Sequence, residues 1–291
     1  MDYKARLRTY YYLTKPGIIY GNAVNATAGF ALASSVVGRL LPGRFVAMLV
    51  GSSLIVAAGC VYNNYMDRGI DRKMARTKKR ALVRGTVSVR AAMVYATVLG
   101  VAGFSLLAAG TNALTVVVGA VGFFDYVVLY GYFKRRSAWG TLVGSVSGAT
   151  PPLAGYVAVT GRLDAAAGII FAMLVCWQMP HFYAIAIYRM KDYAAAGLPV
   201  LPIRRGTRAT KIQMCGFVVA FAVAAALLTV RGYTGYVYLL VMLVASAVWL
   251  RLALRGFRAA DETKWARQMF FFSLIVTLIT AAMLSVGGLL P

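Results

Sequence analysis

The 291-residue chain is 60% hydrophobic and 13% charged, with a net charge of +23 from 31 basic and only eight acidic residues. Soluble domains average about 25% charged residues, and eight carboxylates cannot cover a soluble surface of this size. Disorder is excluded by the same hydrophobicity. Several apolar stretches reach the roughly 20 residues needed to cross a hydrocarbon core. The expected fold class is all-α: a polytopic integral membrane protein of nine transmembrane helices, forming one domain over 1–291.

The N-terminal stretch MDYKARLRTYYYLTKPG lacks an apolar core before a cleavage site and is not expected to act as a leader. The first apolar segment, 17–37, opens just after Lys15 and carries Asn22 and Asn25, polar groups within the bilayer that are expected to face a cavity. The second, 45–66, leaves the membrane through Asn63, Asn64, Asp67 and Asp71. At 100° per residue, Asp67 lies about 40°, Asp71 about 80° and Asn64 about 100° from Asn63, so four oxygen-bearing side chains share one face. Such hard oxygen ligands suit Mg²⁺, which takes one or two protein carboxylates and completes its shell with water and phosphate oxygens. The plain alternative is an exposed helix end whose Asp67 and Asp71 pair with Arg68, Arg72 or Lys73. The next residues include Lys73, Arg76, Lys78, Lys79, Arg80 and Arg84. A metal beside such cations is the combination that holds and ionises a diphosphate.

Segments 91–110, 113–133 and 138–160 follow, the last with Gly140, Gly144 and Gly148 at a spacing that favours close helix packing, ahead of Pro151-Pro152. Segment 165–188 ends in WQMPHFYAIAIYRMKDY, residues 177–193. In an unbroken helix, Gln178, Tyr188 and Asp192 would lie within about 60° of His181, with Pro180 placed to kink the start. Segments 212–230, 233–250 and 269–290 complete the nine. Of the 31 Lys and Arg, four (Arg39, Arg44, Arg162 and Arg231) fall in alternate loops and the other 27 on the opposite side. That asymmetry predicts the N-terminus inside and the C-terminus outside, most simply in a prokaryotic plasma membrane. The basic excess then reads as topology and contact with anionic headgroups of membrane lipids, and not as nucleic-acid binding. Cys60, Cys176 and Cys215 have no metal-ligand spacing. Since the second and sixth segments run the same way, Asp67, Asp71 and Asp192 are expected at one membrane face, across a cavity open to the cytoplasmic side.

The run Asn63-Asn64-x-x-Asp67-x-x-x-Asp71, with Met74, Arg76-Thr77 and Arg80 behind it, resembles the first aspartate-rich motif of the UbiA-type intramembrane prenyltransferase superfamily. The segments LTKPGIIYGN (13–22), SGATPPLAGY (147–156), WQMPHF (177–182) and AGLPVLP (196–202) are similar to its haem-modifying branch. Many superfamily members carry Asp where Asn64 stands and a fuller DxxxD where this chain has Tyr188-x-x-x-Asp192; the haem branch shares both departures. The resemblance implies a reaction. Farnesyl diphosphate ionises, its C1 is attached to the 2-vinyl group of haem b, and water adds to give haem O and diphosphate. It further implies Mg²⁺ held by Asn63, Asp67, Asp71 and Asp192, with the three Asp as catalytic residues, and diphosphate contacts from Lys15, Lys73, Arg76 and Arg80. His181 is implied in the haem pocket, Asn22, Asn25, Asn64, Gln178 and Tyr188 along the cavity, and the Gly140–Gly148 stripe as room for a flat macrocycle. A haem A synthase or a terminal oxidase assembly is an implied partner. Two other readings stay open on the residues alone: a polyprenyltransferase acting on 4-hydroxybenzoate or another quinone-precursor ring, and a secondary transporter, whose site would lie nearer the bilayer midplane.

Overall fold

The computed structural model describes residues 3–291. Helix α1 (Tyr3–Leu13) leads into α2 (Pro16–Val37), and α3 (Pro42–Asp71) and the single turn α4 (Ala81–Arg84) come next. Then come α5 (Val89–Gly110), α6 (Ala113–Phe124), which passes through a π-turn at Asp125–Leu129 into α7 (Tyr130–Phe133), and α8 (Gly140–Thr160). Helix α9 (Ala165–Tyr188) and the short α10 (Met190–Ala195) precede α11 (Leu201–Val230), α12 (Tyr236–Arg255) and α13 (Glu262–Val286). No strand occurs among the described residues, and eight helices are long and apolar enough to cross a membrane. The segment Pro16–Val37 has the length but, with Asn22 and Asn25, is not among those eight.

Local chemistry explains where these helices start. Ser88, Asn112, Asp164 and Asp261 cap α5, α6, α9 and α13 by accepting from backbone N–H groups three residues on, which satisfies donors that a helix cannot pair internally. Proline opens α2 and α3, where the missing N–H has no partner to lose. Two helices depart furthest from the sequence boundaries, while α3 and α12 each run five residues past theirs. The segment expected at 212–230 is preceded by helix from Leu201, and the two parts meet at a kink where Gly206, at φ 79° and ψ 163°, leaves the helical conformation. The segment expected at 269–290 starts at Glu262 and stops at Val286. In both, long basic side chains such as Arg204, Arg208 and Arg267 ride exposed on helix outside the apolar stretch, while the buried Lys211 ties the two extensions together by meeting Glu262 and the Gly256 carbonyl. Helix α9 stays helical through Pro180.

Helices α2, α8, α9 and α13 pack in a closed ring, with α3, α5 and α6 on one flank and α11 and α12 on the other. Lipid offers no hydrophobic drive between helices, so backbones approach at small residues. A Cβ on Gly29 would strike the Pro152 carbonyl, and one on Gly155 would strike that of Ala26, which locks α2 to α8. Between α3 and α5 a Cβ on Gly103 would sit 2.8 Å from the Gly51 oxygen, so the two backbones meet with no room for a side chain there.

Candidate functional site

Helix α3 carries Asn63, Asn64, Asp67 and Asp71 to one end of the bundle, where three other segments meet it. From the α1–α2 junction, Lys15 Nζ donates to Asn63 Oδ1 at 2.9 Å, and the Leu13 carbonyl accepts from Asn64 Nδ2 at 2.8 Å. Lys15 has φ 54°, the one positive value of a non-glycine among the described residues. Pro16 keeps it out of the right-handed helical region. A left-handed lysine costs roughly 1–2 kcal/mol, and observed strain of this kind is a pointer to function. From the end of α7, Lys134 Nζ donates to Asp67 Oδ2 at 2.6 Å and Arg135 Nη2 to Asp67 Oδ1 at 3.2 Å. From the loop after α3, Arg80 Nη1 donates to Asp71 Oδ2 at 2.6 Å, while Thr77 Oγ1 donates to the Asp71 carbonyl. Burial pushes the Lys15 ammonium down to about 8, and it lowers that of Lys134 against the pull of Asp67. The cluster therefore concentrates positive charge where water screens it weakly.

This arrangement differs from the simple helix-end alternative. Neither Asp67 nor Asp71 pairs with Arg68, Arg72 or Lys73; each is claimed by a cation from farther away. Asp71 is also not an exposed ligand, since it is only 2% exposed. Lys73 and Arg76 are exposed and form no ion pair among the described residues. The amide nitrogen of Asn63 and the Oδ1 of Asn64 are buried with no hydrogen-bond partner. Two carboxylates and an amide oxygen form a donor set that suits Mg²⁺ when phosphate oxygens complete the shell; the Asn63 Oδ1 that would complete it is the one Lys15 holds.

The second patch divides. Arg189, at φ −109° and ψ 17°, ends α9, and Asp192 lies on the separate α10. The stripe expected from an unbroken helix is thus broken between Tyr188 and Asp192. Asp192 approaches Arg189 at 4.0 Å, and among the described residues no three His, Cys, Asp or Glu converge as a metal cluster. An apolar contact of Met74 with Ala196 and Leu198, flanked by Ile70 and Tyr193, does hold the α10 region against the loop after α3. Gln178 turns the other way: its Nε2 donates to the carbonyls of Ser145 and Leu174, and its amide fills the space over Gly148. Gly144 is covered by the Tyr130 ring and Gly140 by the Lys134 backbone, so the glycine stripe serves close packing. His181 faces α13, with Nδ1 2.7 Å from Ser273 Oγ, and Phe270 bridges its ring to that of Tyr188. Asn25 accepts from Thr277 on α13, and Asn22 donates to the Ile18 carbonyl one turn back.

Sequence reasoning missed Lys134 and Arg135, read there as topology only, although a basic pair directly after an apolar segment was the available signal. It also passed over Asp125, 2% exposed at the start of the π-turn, whose carboxylate accepts from the Ser147 N–H at 3.0 Å. A carboxylate inside an apolar segment is itself a signal.

A helical bundle ending in paired carboxylates, amides and a cationic collar is the architecture of an intramembrane prenyltransferase. A solved digeranylgeranylglyceryl phosphate synthase shares the fold at a TM-score of 0.80 and 18% identity, over 98% of this chain and 99% of that one. A UbiA homologue from Archaeoglobus fulgidus, solved with DMAPP and Mg²⁺, shares it at a TM-score of 0.71 and 15% identity, over 96% of this chain and 99% of that one. The model of the UbiA prenyltransferase family matches residues 22–275, and the chain belongs to that family. Within it, the chain is 50% identical to the protoheme IX farnesyltransferase of Klebsiella pneumoniae subsp. pneumoniae, over 98% of its own length and 96% of the relative's. The protoheme IX farnesyltransferase of Escherichia coli strain K12 matches to the same extent.

Proposed function

We propose that this chain transfers the farnesyl group of farnesyl diphosphate to the 2-vinyl group of haem b, with addition of water, giving haem O and diphosphate. The observation that carries the reading is half-identity with protoheme IX farnesyltransferases over 98% of the chain. The C1–O bond breaks and diphosphate leaves with the electron pair. C1 bonds to the terminal vinyl carbon, water captures the cation left on the neighbouring carbon, and a proton is released. Asn63, Asp67 and Asp71 would hold Mg²⁺, with Asp192 brought in from α10. When bound, the metal supplies charge neutralisation of the leaving oxygens. Lys15, Lys134, Arg135 and Arg80, each already within 3.2 Å of one of those ligand oxygens, neutralise the departing diphosphate. Lys73 and Arg76, exposed on the adjoining loop, guide the anion in. His181, Phe270 and Tyr188 form the wall at which haem is received, and Asn22 and Asn25 line the cavity from α2.

The same proposal places one domain over 1–291 in a prokaryotic plasma membrane, with α2 as a ninth span, the N-terminus and the site cytoplasmic, and the C-terminus outside. Its product would pass to a haem A synthase or a terminal oxidase assembly. Purified protein given farnesyl diphosphate and Mg²⁺ with either haem b or 4-hydroxybenzoate tests the acceptor. Mass identification of haem O and stoichiometric, chelator-sensitive diphosphate release is the expected result. A prenylated benzoate in place of haem O would overturn it.

A further inference from the structure

His181 is the chain's one histidine and lies where α9 packs against α13. Its Nδ1 stands 2.7 Å from Ser273 Oγ. A serine hydroxyl has a single proton, and here that proton is committed: Ser273 Oγ donates to the Phe270 carbonyl at 2.6 Å, an oxygen that can only accept. Toward His181 the hydroxyl can therefore only accept, so the hydrogen-bond network assigns the ring proton to Nδ1. With the proton on Nε2, the one hydroxyl proton could serve either Nδ1 or the Phe270 carbonyl but not both, which leaves an unbridged contact of 2.7 or 2.6 Å between acceptors at a fully buried serine. Ser273 is itself held, because Trp177 Nε1 donates to its carbonyl at 2.8 Å. The same indole stacks on the imidazole at 5.0 Å between centroids, and Phe270 lies at 4.9 Å. These contacts restrain the ring and leave Nε2 without a hydrogen-bond partner among the described residues.

We infer that Ser273 is a positioning residue that holds His181 as its Nδ1–H tautomer, so that Nε2 offers an unprotonated lone pair to the iron of haem b. The iron step rests on haem being the acceptor, as proposed above. Neutral imidazole is a common haem ligand, and a hydrogen bond from its far nitrogen fixes the tautomer and raises the basicity of the ligating one.

A single histidine makes the test direct. Full-length protein labelled with ¹⁵N-histidine and purified through a histidine-free tag reports one imidazole by NMR. In the haem-free protein a protonated Nδ1 and a bare Nε2 are expected, and an Nε2–H tautomer overturns the inference. On titration with haem b, Ser273→Ala is expected to bind about tenfold more weakly. Its ferrous complex should show a lower iron–histidine stretching frequency by resonance Raman. Ser273→Thr, which keeps the hydroxyl, restores both. Farnesyl diphosphate binding in the presence of Mg²⁺ stays unchanged throughout and confirms that each variant is folded. Equal affinity and equal frequency in Ser273→Ala overturn the positioning role, and bound haem lacking an iron–histidine stretch in the unsubstituted protein overturns the iron assignment. If that protein binds no haem b at all, the proposed acceptor is wrong, while the tautomer read from the haem-free protein stands.

Discussion

Asp71→Asn keeps the shape of a side chain that is 2% exposed and removes its charge, which separates two costs. The first is structural. Asp71 Oδ2 accepts from Arg80 Nη1 at 2.6 Å, but 26% of the Arg80 side chain remains exposed, so the stranded guanidinium regains water. The stability loss is therefore expected near about 1 kcal/mol, below the roughly 3–5 kcal/mol of a fully buried pair that loses one partner. The Asp71 carbonyl that accepts from Thr77 is untouched, so the loop keeps its anchor. The second cost falls on the reaction. A metal-binding carboxylate acts most strongly as charge builds on the leaving oxygens, and a bound metal contributes several kcal/mol there. A loss of about 4 kcal/mol corresponds to roughly a thousandfold in rate. Haem O formation across a Mg²⁺ titration, with thermal unfolding in detergent alongside, measures both. Turnover within tenfold of the unsubstituted protein at saturating Mg²⁺ would refute the metal role. A collapse in stability with the residual rate intact would make the Arg80 pair purely structural.

Lys134→Met keeps the stem along α7 and removes the ammonium that meets Asp67; the KM for farnesyl diphosphate should rise and turnover fall by roughly 10²-fold, the worth of one preorganised charge donor, while haem b affinity holds. Asp192→Asn is expected to raise the Mg²⁺ requirement and lower turnover, and an unchanged Mg²⁺ dependence would leave the metal on α3 alone. Gly155→Ala drives a methyl into the Ala26 carbonyl between α8 and α2. It should cost about 1–3 kcal/mol, visible as a lower unfolding midpoint with KM for both substrates unaltered.

Much of the candidate site was legible because its residues lie close together along the chain. Asn63, Asp67 and Asp71 fall on one face by helical period alone, and no apolar packing explains carboxylates at the end of a membrane helix. Asp192 was harder. Its place on a stripe with His181 assumed a continuous helix, and the backbone breaks at Arg189, a residue whose side chain gives no sign of a stop. Gln178 likewise shares a helical face with His181 on paper, yet the close approach allowed by Gly148 draws it onto α8.

The sequence by itself determined the membrane class, the approximate course of most helices and the shared face of Asn63, Asp67 and Asp71. Hydropathy, helical period and capping are properties of residues within a few positions of one another. Only the tertiary structure decided which cations those oxygens meet. The partners of Asp67 stand 67 and 68 residues further along the chain, and the hydroxyl that sets the His181 tautomer is 92 residues away. Charge and hydrogen bonding act through space, over distances set by how closely glycine and alanine let the helices approach, and no local pattern of residues records that packing.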